Sequence, residues 1–202
     1  MNSYLQLFLS GIQSGRKTSG KCIVVAFTSS LPQEGVSFVT QSFAVELAKR
    51  TRKRTAIVDV NTLQQVDIFH YSRVARFCLK TDVPNLYVLQ QEEDEFAEEE
   101  SSQQLKPIVG SSELDRGLSN LQTLRYSFDF VLLDCPSLKD SGDAALFAPA
   151  ADGVVVVVEA ERTRKEQVRS TMNTLEMSEA NLLGCVLNKR QYPIPEWLYQ
   201  RL

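Results

Sequence analysis

Along this chain, uniformly apolar runs alternate with stretches whose apolar residues recur every three or four positions. Residues 22–27 (CIVVAF), 55–60 (TAIVDV), 128–134 (FDFVLLD), 153–159 (GVVVVVE) and 181–188 (NLLGCVLN) lack period-two alternation, which predicts strands covered on both faces. A shorter strand is predicted at 85–89, after Pro84. Helical spacing runs through 37–50 (Val39, Phe43, Leu47, Ala48) and 64–79 (Val66, Phe69, Val74, Phe77). It recurs in 111–126 (Leu114, Leu118, Leu121, Leu124, with Ser112 as a cap) and 163–177 (Val168, Met172, Leu175, with Thr163 as the N-cap). An alanine-rich helix is predicted at 142–150. Strands alternating with helices predict an α/β fold of three layers, α/β/α, around a central, mainly parallel sheet. Residues 1–20 read as an N-terminal helix (Leu5, Leu7, Phe8, Leu9, Ile12) and polar linker, 21–190 as one domain, and 191–202 as a proline-containing tail.

Composition narrows the function classes. A chain of 202 residues fits one domain, and a net charge of -3 argues against nucleic acid as a main partner. The four cysteines are far apart with no C-x-x-C, and a single histidine, His70, removes most histidine triads and zinc sites. Cys22 and Cys185 fall in apolar strands, where cysteine acts as a small hydrophobe. No segment approaches the ~20 apolar residues of a membrane span. The first twelve residues lack the basic start of a signal peptide, so a cytoplasmic protein is expected. A basic run at 49–54 suits the C-terminus of a helix dipole or, alternatively, a docking patch; an acidic run at 92–100 suits a solvated loop.

Candidate chemistry sits between the first strand and its helix. Strand, turn-forming loop and helix is the layout in which backbone N–H groups cradle phosphate. Against the pattern G-x-x-x-x-G-K-[ST], the positions are Ser30, Leu31, Pro32, Gln33, Glu34, Gly35, Val36 and Ser37. The second glycine and the serine are present; Val36 stands where the lysine would contact the β- and γ-phosphates. Glu34 adds a negative charge expected to repel phosphate, Gln33 is expected to resist the φ > 0 conformations of a phosphate loop, and Phe38 is bulky where tight helix–loop packing favours a small residue. Asp134, ending an apolar strand, has the form of a carboxylate that holds Mg²⁺ through water or directly. A plain strand–turn–helix connection without a ligand fits the same residues.

TSSLPQEGVS, AIVDVN, YSFDFVLLDCPS, the long stretch DSGDAALFAPAADGVVVVVEAERTRKEQV and LLGCVLN together resemble the cytoplasmic domain of the bacterial tyrosine kinases of capsule and exopolysaccharide synthesis, relatives of the MinD/ParA-type P-loop ATPases. The resemblance covers nearly the whole chain. It implies a P-loop NTPase-like fold, ATP or ADP with Mg²⁺ as cofactor, and a nucleotide site at Ser30, Gly35, Val36, Ser37 and Asn188, with Asn188 near the base. It further implies metal binding by Ser37 and Asp134, catalytic ancestry for Asp59 and Asp134, and protein partners in polysaccharide synthesis or export, such as a membrane co-polymerase.

The departures change the expected activity. Gln33 replaces a loop glycine, Val36 the lysine, Asn61 the second aspartate of D-x-D and Leu63 the arginine after it; Leu31 replaces the extra lysine of the partitioning ATPases. Asn2, Leu5 and Phe8 replace the charged E-x-x-R-x-x-R assembly motif, and no tyrosine cluster ends the chain. A non-catalytic, pseudokinase-like regulator or scaffold is therefore expected, monomeric or dimeric, cytoplasmic and held at the inner membrane through a partner. Two alternatives stand beside it: a weak kinase or ATPase borrowing a cation from Arg162, Arg164 or Lys49, and a nucleotide or anion sensor without turnover.

Overall fold

A computed structural model of the chain describes residues 22–68, 73–91 and 113–190. The predicted N-terminal helix, the acidic run at 92–100, His70 and the tail lie outside the described residues. The strands are β1 (Ile23–Ser29), β2 (Thr55–Asp59), β3 (Cys78–Lys80), β4 (Leu86–Leu89), β5 (Phe130–Asp134), β6 (Gly153–Glu159) and β7 (Leu182–Asn188). The helices are α1 (Val36–Thr51), α2 (Val60–Gln65), α3 (Val74–Phe77), α4 (Glu113–Ser127), α5 (Asp143–Phe147) and α6 (Lys165–Met177), with a 3₁₀ turn at Ala148–Ala150.

The strands form one sheet in the order β3-β4-β2-β5-β1-β6-β7. Every neighbouring pair is parallel except β3–β4. Alternate residues of each strand feed opposite faces. Val24 and Ala26 face a core shared with α4, α5 and α6 through Leu121, Leu124, Phe147 and Leu175. Val25 and Phe27 face α1 through Ala44, Leu47 and Ala48. Both faces are thus covered, which is why the central strands read as unbroken apolar runs. The three-layer α/β/α expectation holds.

Several local expectations give way to tertiary contacts. Among the described residues, the span 64–79 expected as one helix instead holds the end of α2, the short helix α3 and the strand β3. The Asp59 side chain accepts from the Thr62 N–H (2.8 Å) and so starts α2 at Val60. Buried Asn120 then ties off the segment after α2: it accepts from the Ile68 N–H (3.0 Å) and donates to the carbonyls of Leu63 and Val66 (both 2.8 Å). β7 is an edge strand among the described residues, and Cys185 on it is exposed rather than a core hydrophobe. Arg164, not Thr163, caps α6. Phe38 is 68% exposed, so its ring leaves the loop packing untouched.

Candidate phosphate-loop site

Parallel pairing brings the carboxyl ends of β1, β2 and β5 to one edge of the sheet, where ligands of open α/β sheets bind. A cavity of about 260 Å³ opens there, lined by the loop residues Pro32, Gln33, Gly35, Val36 and Ser37. Asp59, Asn61, Asp134, Ser137 and Asp140 complete its polar wall. Ser37 and Asp134 meet: the serine hydroxyl is hydrogen-bonded to the carboxylate. Burial raises the Asp134 carboxyl above its ordinary range, Ser37 opposes this, and the nearby Asp59 adds to it.

Gly35 is required by its surroundings. It has φ 89°, and a Cβ there would lie 2.3 Å from the Asn188 amide nitrogen. That amide donates to the Glu34 carbonyl (2.9 Å). Asn188 therefore braces the loop from the end of β7. Ser30 is buried, its hydroxyl accepting from Thr171 (2.9 Å) on α6, and it does not line the cavity.

Two expectations about the loop are corrected. Gln33 adopts φ 66° despite its side chain, so the left-handed conformation is kept at a steric cost of about 1–2 kcal/mol instead of being prevented. Glu34 is fully buried and absent from the cavity wall. Its carboxylate accepts from the backbone N–H groups of Leu31 (2.7 Å) and Glu159 (3.2 Å) and from the Thr163 hydroxyl. The charge is spent inside the fold, tying the loop to the end of β6, and does not face the cavity. Thr163 is drawn to this carboxylate, which explains why it is not the helix cap.

The borrowed-cation candidates separate. Lys49 sits at the far end of α1, on the opposite edge of the sheet. The Arg164 backbone N–H engages the Gln167 side chain at the start of α6. Arg162 does reach the loop, donating to the Pro32 carbonyl (3.2 Å), and is paired with Glu159 (2.8 Å). Sequence reasoning missed Lys189, whose ammonium donates to the Gln33 carbonyl (2.6 Å) and pairs with Glu159 (3.2 Å). The available signal was its position directly after Asn188 at a strand end. The Arg162 hydrogen bond, helped by Lys189, holds the Glu159 carboxyl below its usual range. Neither cation lines the cavity.

The fit to Mg·nucleotide is therefore divided. Ser37, Asp134 and Asp59 are oxygen donors suited to a hard cation. A triphosphate needs opposing positive charge, and among the described residues the cavity wall carries three carboxylates, Asp59, Asp134 and Asp140, with no lysine or arginine. The donors have the chemistry of hard-metal ligands, although no three His, Cys, Asp or Glu side chains among the described residues stand together as a metal site, and the wall does not fit the phosphate chain.

No protein-family model matches this chain. It is 28% identical over 184 residues to the succinoglycan biosynthesis transport protein ExoP of Rhizobium meliloti, a match covering 82% of this chain but only 22% of ExoP. It is 26% identical over 201 residues to the tyrosine-protein kinase CpsD of Streptococcus agalactiae, covering 90% of this chain and 82% of CpsD. Among solved structures, the chimerical protein CapA2B2 superimposes with a TM-score of 0.65 at 23% identity, over 91% of this chain and 82% of that one. The MinD cell division protein of Aquifex aeolicus does so with a TM-score of 0.58 at 17% identity, over 89% and 73%. In sequence this chain is similar to bacterial tyrosine kinases such as CpsD, and it has the fold shared by the MinD and ParA P-loop NTPases.

Proposed function

We propose that the chain is a non-catalytic relative of the bacterial tyrosine kinases that acts as a regulatory or scaffolding component of exopolysaccharide or capsule synthesis. The observation that supports this reading is the charge of the cavity: among the described residues its wall carries three carboxylates and no cation. Phosphoryl transfer rests on positioning and on cations that neutralise developing charge. Val36 supplies neither charge nor a side-chain donor. The polysaccharide setting is taken from the name of ExoP, a succinoglycan biosynthesis transport protein, and the kinase ancestry from that of CpsD. Its partners are proteins of the synthesis or export machinery, a membrane co-polymerase among them, and it is a monomer or dimer at the inner membrane through such a partner. No helix among the described residues is long and apolar enough to cross a membrane.

The test is calorimetry with Mg·ATP and Mg·ADP on the wild type, Val36→Lys, and Val36→Lys with Gln33→Gly. The wild type is expected to bind weakly or not at all and to phosphorylate no tyrosine. The double change is expected to raise affinity more than about tenfold, or ~1.4 kcal/mol. Low-micromolar binding with turnover by the wild type would overturn the reading.

One observation favours the second reading, an enzyme with a borrowed cation. Lys189 and Arg162 both touch the loop, on the carbonyls of Gln33 and Pro32. Both are already paired with Glu159, which lowers the charge they offer elsewhere. Turnover by the wild type that is abolished in Lys189→Ala would establish that reading.

A further inference from the structure

The edge of the sheet opposite the cavity carries charge that the site does not use. Because β1, β2, β4, β5, β6 and β7 run parallel, their amino ends share one edge with the carboxyl ends of α1, α4 and α6. The run Lys49, Arg50, Arg52, Lys53 and Arg54 lies there, in a chain whose net charge is -3. Arg50 pairs with Glu46. Lys49, Arg52 and Lys53 are exposed and have no carboxylate partner among the described residues. The other acids at this edge are Asp129, which accepts from the Arg54 backbone N–H (3.1 Å), Asp82, buried Asp152, which is paired with Arg125, and Glu176 and Glu179, which flank Met177 away from the basic run.

Two of the cations are held on aromatic rings rather than on acids. The Arg54 guanidinium stands 5.0 Å from the Phe128 ring centre and 5.3 Å from that of Tyr87, and the Lys53 ammonium 5.8 Å from that of Phe130. Ring faces orient the side chains without cancelling their charge. Beside them, two residues from Phe128, Tyr126 is 83% exposed; farther along the same edge, at the end of α6, Met177 is 86% exposed. The dipole at the end of α1 accounts for one or two cations in its last turn, Lys49 and Arg50. It accounts for neither the three basic residues beyond the helix nor the two exposed apolar side chains.

We propose that this edge docks on an anionic lipid surface. Unpaired lysine and arginine meet lipid phosphates, and Tyr126 enters the headgroup layer, where an amphipathic ring is favoured. A long nucleic acid fits less well, since the overall negative charge opposes wrapping and the basic residues are confined to one edge. This inference is independent of whether the cavity binds nucleotide.

The experiment is co-sedimentation of the full chain with vesicles of phosphatidylcholine, alone or mixed with phosphatidylglycerol, across a salt series. Binding is expected only to the mixed vesicles and is expected to weaken as salt rises. Each of Lys49→Gln, Arg52→Gln and Lys53→Gln should lower partitioning about fivefold, and the three together about a hundredfold, from ~1 kcal/mol per basic residue. Tyr126→Ser should weaken binding at high salt, where the charge contribution is screened. Lys139→Gln with Lys165→Gln and Arg169→Gln, on other parts of the surface, should leave it unchanged. Thermal melts establish that each variant is folded; if the triple variant is not, the single changes and the salt series decide. Equal binding to neutral vesicles, no binding at low salt, or an equal loss in the Lys139, Lys165 and Arg169 variant would overturn the proposal. Full competition by polyglutamate at matched charge would also overturn it, in favour of an acidic protein partner.

Discussion

Asp59 and Asp134 stand opposite one another, paired in register as the last residues of the adjacent parallel strands β2 and β5. Both line the cavity, and Asp59 raises the cost of a charge on Asp134. Asp59 itself caps α2. Asp134 has the Ser37 hydrogen bond, yet burial still holds its carboxyl above the ordinary value.

Asp134→Asn is therefore expected to stabilise the protein at neutral pH. A carboxyl raised in the folded state binds its proton more tightly there than in the unfolded chain. Its contribution is fully present below the unfolded value of about 3.8 and is lost as pH rises through the folded one. The gain from asparagine should thus appear at neutral pH and vanish in acid. Urea titrations at a series of pH values test this; a gain that grows toward low pH would have the wrong sign.

Added Mg²⁺ should raise the melting temperature of the wild type, by binding the folded state and relieving the same repulsion. Asp134→Asn should lose most of that response. The check is thermal unfolding with and without millimolar Mg²⁺, using Na⁺ at equal ionic strength as the control. An equal shift in both proteins would place the metal elsewhere.

Gly35→Ala is expected to cost about 1–3 kcal/mol, from a strained φ of 89° and a methyl 2.3 Å from the Asn188 amide nitrogen. Combining it with Asn188→Ala should recover the part due to the clash, so the two changes should not be additive. Denaturant unfolding of both single variants and the double variant closes that cycle. Gln33→Gly, by contrast, is expected to be neutral or to stabilise by up to about 1 kcal/mol. Release of the left-handed strain at φ 66° is offset in part by the greater freedom of glycine in the unfolded chain.

Glu34→Ala should destabilise by roughly 3 kcal/mol, because it leaves half-buried donors on Leu31, Glu159 and Thr163 without their shared acceptor. Glu34→Gln should cost less. Hydrogen exchange at Leu31 should speed up in the alanine variant before global stability is lost. If Glu34→Ala instead raised anion affinity without loss of stability, the charge would be acting on the cavity after all.

The chain's own pattern determined the architecture. Five long apolar runs without alternation can be satisfied only by a sheet covered on both faces, and the intervening helical periodicity supplies the cover. The same runs located Asp59, Asp134 and the loop, because strand ends and turn residues are local features of sequence. Asn120 was invisible in this way: a polar residue on a helix face reads as solvent-exposed until the fold buries it against the exit of α2. The direction of Glu34 was equally hidden. A carboxylate in a phosphate loop reads as repulsive, and only the approach of Glu159 and Thr163, more than a hundred residues later, turns it inward. The same holds for Arg162, which reaches the Pro32 carbonyl, and for Lys189, which reaches the Gln33 carbonyl and Glu159, all remote in sequence. Hydrogen bonds and ion pairs of this kind depend on distances of about 3 Å between segments remote in sequence. Periodicity carries no information about those distances; the packing of β6 and β7 against the loop sets them.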